Sequence, residues 1–231
     1  MTFIQLIDCK TDRVDELNRL MDTWIEQTKG RRTATHSLLG TDRSDATHVV
    51  EIVEFPSYEE AMKNSNMPET DRIFQEMVAL CDGLPTFTDL EVIRDEQLNG
   101  AACRRFFMEA LPSGDAALLG ELLTDDYLDH DPANAQDVVG VEGLRKEVAA
   151  WKEGFDFGFT VEDQISDEDR VCTRWSWTGL HKGEFMGVTA TGKQVTMTGT
   201  TVQRCREGRI CESWWQYDRL GLMGQLGVLE M

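Results

Sequence analysis

Hydrophobic and polar positions change their period several times along this chain. Residues 3–7 form a short apolar run of strand type. From residue 11 to about 29 the apolar side chains Val14, Leu17, Leu20, Met21, Trp24 and Ile25 recur three and four apart, which predicts an amphipathic helix. Asp12, Asp15 and Glu16 fall in its first turn and Lys29 in its last, as the helix dipole favours. Residues 31–39 and 47–55 read as two strands about a polar turn at 41–45. Ser57 with Glu60 is a capping box that opens a short helix. A second helix over 69–80 carries Ile73, Phe74, Met77 and Val78 on one face, and Pro85 precedes a last strand over 86–93. The polar stretch 94–100 reads as a linker.

Beyond it helices come first and strands later. Leu98, Ala101, Ala102, Arg105 and Phe106 mark one helix face. After a turn at 112–115, Leu118, Leu119, Leu122 and Leu123 mark a second helix, and Val141, Leu144, Val148 and Trp151 a third. Strands follow around Phe157, Phe159 and Val161, over 171–181, over 193–205 and over 209–218. The last two form a hairpin about Glu207-Gly208, and a short helix covers 220–226. The chain is therefore α+β, with one domain over 1–95 and another over 98–231. In the first, the order strand, helix, strand, strand, helix, strand is the split βαβ arrangement, and resembles ferredoxin-like domains of the dimeric α/β-barrel type by pattern. In the second, helices packed on a curved antiparallel sheet describe a cone-shaped α+β barrel.

Composition narrows the function. A chain of 231 residues with 41% hydrophobic side chains can bury a core in each half. The formal charge of -19 is spread over both halves with no basic stripe, which argues against nucleic acid and against anionic membranes. The six cysteines form no C-x-x-C pair and no metal-ligand spacing, so no metal is expected. The amino terminus lacks a basic region followed by a long apolar run, so a cytoplasmic protein with reduced thiols is expected.

Specific residues recur in order through the second half. They are Arg104-Arg105-Phe106-Phe107, Leu123-Thr124-Asp125-Asp126-Tyr127-Leu128-Asp129-His130-Asp131-Pro132 and Gly140-Val141-Glu142-Gly143-Leu144. Gly179-Leu180-His181 through Gly187, Glu207-Gly208-Arg209-Ile210 and Tyr217-Asp218-Arg219-Leu220-Gly221 follow. This series is similar to SnoaL-like polyketide cyclases and predicted ester cyclases, which have the nuclear-transport-factor-two-like fold. The resemblance implies cofactor-independent acid/base chemistry on a polyketide-like molecule in an apolar cavity, with no metal. It also implies an acid/base aspartate on the last strand and a histidine on its neighbour. Aligning Gly208-Arg209-Ile210 and Gln225-Leu226-Gly227 puts that aspartate at Trp215 and that histidine at Thr201. An indole has no proton to exchange near neutral pH, and a threonine hydroxyl is a poor base.

The remaining candidates follow from strand alternation. If Trp215 faces the cavity, so do Ser213 and Tyr217, while Thr201 and Gln203 line it from the next strand, with Tyr127 and Trp177 nearby. Alternatively, Trp215 simply fills the cone. His130, at the end of a helical region and flanked by Asp129 and Asp131, is a candidate general base or a loop histidine bonded to backbone. Asp218 is a candidate acid or the N-cap of the last helix, and His181 a rim residue of structural type. In the first domain only Trp24, His36 and His48 suggest chemistry. Two functions follow: a cyclase or isomerase working through His130 and Asp218, or a non-catalytic binding protein for a small aromatic or polyketide-like molecule. A homodimer is expected because both folds offer broad sheet faces.

Overall fold

The computed structural model describes residues 2–228. The chain divides into two compact units between Asp95 and Glu96. The first contains β1 (Phe3–Lys10), α1 (Val14–Gln27), β2 (His36–Thr41), β3 (His48–Phe55), α2 (Tyr58–Ser65), α3 (Pro68–Leu80) and β4 (Thr86–Glu91). Its strands lie in the order β2-β3-β1-β4, each antiparallel to its neighbours. Alternation on β3 buries Val49, Glu51, Val53 and Phe55 beneath the helices. α1 contributes Leu17, Leu20 and Trp24 to that core, and α3 contributes Ile73 and Met77. The second strand starts later than the sequence suggests. The amides of Arg31 and Arg32 bond to the Thr28 carbonyl, which extends the end of α1 and delays the strand to His36.

The second unit begins with α4 (Leu98–Arg105), which continues through a π-turn at Phe106–Ala110 into the short α5 (Leu111–Ser113). The wider turn brings the consecutive side chains Phe106 and Phe107 both into the core. Next come α6 (Ala116–Leu122), β5 (Leu123–His130), β6 (Val138–Val139), α7 (Gly140–Gly154), β7 (Phe155–Asp167), β8 (Arg170–His181), β9 (Gln194–Arg206), β10 (Arg209–Tyr217) and α8 (Arg219–Leu226). One six-stranded sheet runs β6-β5-β10-β9-β8-β7. Every neighbouring pair is antiparallel except β5 and β10, which are parallel. The β9–β10 hairpin turns on Glu207 and Gly208, both with positive φ, the geometry that matches the twist of the flanking strands.

The linker is shorter than the polar stretch suggested, because Leu98, Asn99 and Gly100 already belong to α4. A larger correction concerns residues 123–130. The sequence pattern continues a helix through Leu123 and places His130 at a helix end, but the segment is a strand. Its period is therefore two, and it puts Tyr127 and Asp129 on the buried face and His130 on the other.

Large aromatic residues fill the space between sheet and helices, and glycines make room for them. Gly199 is the register partner of Trp175, and a Cβ there would stand 2.4 Å from the indole. Gly199→Val should therefore lower stability by about 1–3 kcal/mol. Gly120→Ala, on α6 with open space around it, should be neutral or stabilising by up to about 1 kcal/mol. Thermal unfolding of both variants checks this. Equal midpoints would contradict the packing account.

Candidate active site in the second unit

A cavity of about 70 Å³ lies between the sheet and α7 in the second unit, walled by Trp151, Trp175, Trp177, Trp215, Phe157 and Phe159. Three carboxyl-bearing side chains reach it, Asp129 from β5, Asp131 just beyond that strand and Glu147 from α7. Period-two alternation explains the first two. Parallel pairing sets Asp129 opposite Ser213 on the inner face and His130 opposite Trp214 on the outer.

Asp129 is only 1% exposed. Its Oδ2 accepts a hydrogen bond from the Tyr127 hydroxyl at 2.9 Å, while its Oδ1 has no hydrogen-bond partner among the described residues. Burial pushes its pKa up to about 7; the negative charges of Glu147 and Asp131 add to the rise, and Tyr127 and the Trp215 indole oppose it. Burial likewise raises Glu147, against a hydrogen bond of 2.9 Å that the Asn134 amide donates to its Oε1. Its Oε2 is buried without a partner among the described residues. Asp131 accepts the Tyr217 hydroxyl at 3.0 and 2.8 Å. Burial raises the Tyr217 phenol, and Asp131 raises it further.

Beneath the aromatic wall a polar string supports Asp129. The Gln203 amide donates to the Ser213 hydroxyl at 3.3 Å; burial raises the pKa of the Tyr127 phenol that donates to Asp129, and Ser213 opposes that rise. Thr201 accepts the Trp175 indole N–H at 2.8 Å. Thr201, Gln203 and Ser213 are fully buried. Of the residues singled out for binding, Trp177, Trp215 and Tyr217 thus line the cavity. Tyr127 reaches it through Asp129, and Thr201, Gln203 and Ser213 lie underneath.

The two residues singled out for catalysis are elsewhere. His130 stacks on Trp214, with ring centroids 5.4 Å apart, on the outer face. Its Nε2 lies 2.9 Å from Glu212 and its Nδ1 3.0 Å from Asp137; Glu212 chiefly raises its pKa. Asp218 is exposed and accepts the Gly221 amide at 2.7 Å, which makes it the N-cap of α8. His181 is buried, stacked on Phe155, and receives the Thr191 amide on Nδ1 at 3.1 Å, where it anchors a loop. The sequence offers Asp129 and Asp131 only as carboxylates flanking His130, and it does not single out Glu147. The alternation Tyr127, Asp129, Asp131 would have found the first two had the segment been read as a strand.

The family model of the SnoaL-like polyketide cyclases matches residues 101–226. The chain belongs to that family. Among solved structures it is similar to IdmH of Streptomyces antibioticus, a candidate polyketide cyclase, at 34% identity over 57% of this chain and 99% of that one, with a TM-score of 0.52. A candidate polyketide cyclase from Acidithiobacillus ferrooxidans matches at 27% identity over 61% of this chain and 100% of that one, TM-score 0.54. AclR of Streptomyces galilaeus, a candidate hydroxylase, matches at 26% identity over 58% and 83%, TM-score 0.51. No curated protein matches the chain. The SnoaL-like unit therefore has a known architecture, but its inward carboxyl groups stand on β5 and α7 rather than on the last strand. No helix among the described residues is long and apolar enough to cross a membrane.

Proposed function

We propose that the SnoaL-like unit is a cyclase or isomerase for a polyketide-like molecule, with Asp129 as its acid/base. One observation carries this: Asp129 lines the cavity, its buried Oδ1 has no hydrogen-bond partner among the described residues, and burial pushes its pKa up to about 7. A general base works best when its pKa lies near the operating pH. In the step it would perform, Asp129 takes a proton from a carbon beside a ketone. The enolate carbon then adds to a second carbonyl of the same molecule, forming the C–C bond. The resulting alkoxide takes the proton back from Asp129, so nothing is gained or lost and the reaction itself calls for no cofactor. The indole walls would bind the planar parts of the substrate. This reading moves the catalytic role from His130 and Asp218 to the neighbouring inward carboxyl group.

The replacement of the family's aspartate and histidine by Trp215 and Thr201 favours a second reading, a binding protein without turnover. At about 70 Å³ the cavity is far below the roughly 300 Å³ at which small-molecule pockets begin, so in either reading only one end of a polyketide enters it. The first unit's strand order supports its ferredoxin-like reading. Its outer sheet face carries Leu38 and Leu90, 50% and 40% exposed, beside Ile52 and Ile4. That face supports a homodimer formed through this unit. Cytoplasmic residence is part of the same proposal.

Asp129→Asn should lower kcat at least about 100-fold on an accepted substrate, while His130→Ala and Asp218→Ala change it less than about tenfold. Because the base must be ionised, wild-type kcat/KM should rise with pH through an apparent pKa of about 7. Full activity in Asp129→Asn would sink the assignment. Sedimentation equilibrium should give twice the chain mass, and Leu38→Glu should shift the species toward monomer; a monomeric wild type refutes the dimer.

A further inference from the structure

A second enclosed space of this protein lies outside the family match. In the first unit a cleft of about 320 Å³ opens between the sheet and the helices α1, α2 and α3. Its size falls at the lower end of the range for small-molecule sites. Trp24, Phe55, Phe74 and Phe87 give it flat aromatic walls. The Trp24 indole N–H is already committed to the Thr70 hydroxyl at 3.2 Å, so that ring offers a ligand only its face.

Two buried polar side chains reach into this apolar space. Glu51 is 6% exposed at an inward position of β3, between Val49 and Val53, where a hydrophobic residue would cost nothing. The Ser37 hydroxyl donates to its Oε1 at 2.9 Å, and burial raises its pKa. Asn64, from α2, is 4% exposed, and its Oδ1 has no partner among the described residues. A buried amide oxygen left empty costs on the order of 1–3 kcal/mol, so it awaits a donor. No lysine or arginine lines the cleft, and Asp71 stands at it, so an anion finds no counter-charge. Burial equally disfavours a charged Glu51 and with it a cationic guest.

We propose that this cleft is a second ligand site, for a flat, neutral aromatic molecule bearing a hydroxyl or enol group. The ring lies against Trp24 and Phe74, the hydroxyl donates to Asn64 Oδ1, and Glu51 hydrogen-bonds to the ligand's oxygen. His36 and His48, the histidines that drew notice in the sequence, take no part. His48 pairs with Asp8 and Asp42, and His36 lies near Glu54, both outside the cleft.

The test uses the full chain carrying ¹³C-methyl methionine, with 2-naphthol as probe. Met21 and Met77 line this cleft, whereas Met197 lines the cavity of the second unit. The probe should move the Met21 and Met77 signals saturably and leave Met197 in place. Glu51→Ala should weaken the binding at least tenfold, and Glu51→Gln, which retains hydrogen-bonding atoms, by less. The dispersion of the other methionine methyls in the same spectra reports whether each variant is folded. Unmoved Met21 and Met77 signals at the solubility limit overturn the proposal, as does movement of Met197 alone. Wild-type affinity in folded Glu51→Ala overturns it as well. Because Met197 is read separately, the outcome is independent of whether the second unit is a cyclase.

Discussion

Taking a carboxyl group out of water costs far more than one hydrogen bond returns, unless the group keeps its proton. Asp129 is in that position. It has one hydroxyl donor, one empty oxygen and two further acids nearby. The surrounding residues make sense as the minimum needed to tolerate it. Tyr127 supplies a hydroxyl donor and the Trp215 indole acts in the same direction, Ser213 and Gln203 stand behind Tyr127, and the indoles keep bulk water away. A fully solvated aspartate there would be an ordinary anion with no reason to exchange protons at neutral pH. The chemistry assigned to the site is thus a consequence of burial, and the parallel pairing of β5 with β10 enforces that burial.

The late strands were legible because they alternate strongly. Trp175 and Trp177 on β8, Thr201 and Gln203 on β9, and Ser213 on β10 all fall on the buried face that period two assigns them. β5 was not legible in the same way. It contains three aspartates, which are poor strand formers, and it follows directly on a leucine-rich helix. Its apolar residues Leu123 and Tyr127 fall four apart, which mimics a helical face. What makes it a strand is tertiary, a pairing with β10 more than eighty residues away that no local pattern announces. An error of period there has a simple price, since neighbouring residues exchange faces. A helical period gives prominence to His130, an outer-surface residue in an ion-paired cluster, whereas the strand period gives it to Asp129 beside it.

The first unit teaches the same lesson from the opposite direction. Its element order was legible from propensity and capping alone, with only element ends displaced: α1 runs from Val14 to Gln27, which leaves Asp12 and Lys29 outside its first and last turns. Its buried acid lies in a strand whose sequence looks ordinary. His48-Val49-Val50-Glu51-Ile52-Val53-Glu54-Phe55 carries two glutamates, and only register says that Glu51 points under the helices while Glu54 points away. Histidines attract notice because they titrate near neutrality, yet both here sit in partly exposed contacts with carboxylates. In each unit the residue to which a role is proposed is an acid on an inward strand position, a place where composition-based reading expects only hydrophobic side chains.

The most direct test of the account is the titration of Asp129 itself. In the chain labelled with ¹³C at the aspartate side-chain carboxyl, the Asp129 resonance is identified by its loss in Asp129→Asn. Its chemical shift should move with a midpoint near pH 7, about three units above an ordinary aspartate. A midpoint near pH 4 would mean that the group is solvated and ionised, and would contradict the buried acid/base on which the functional reading stands.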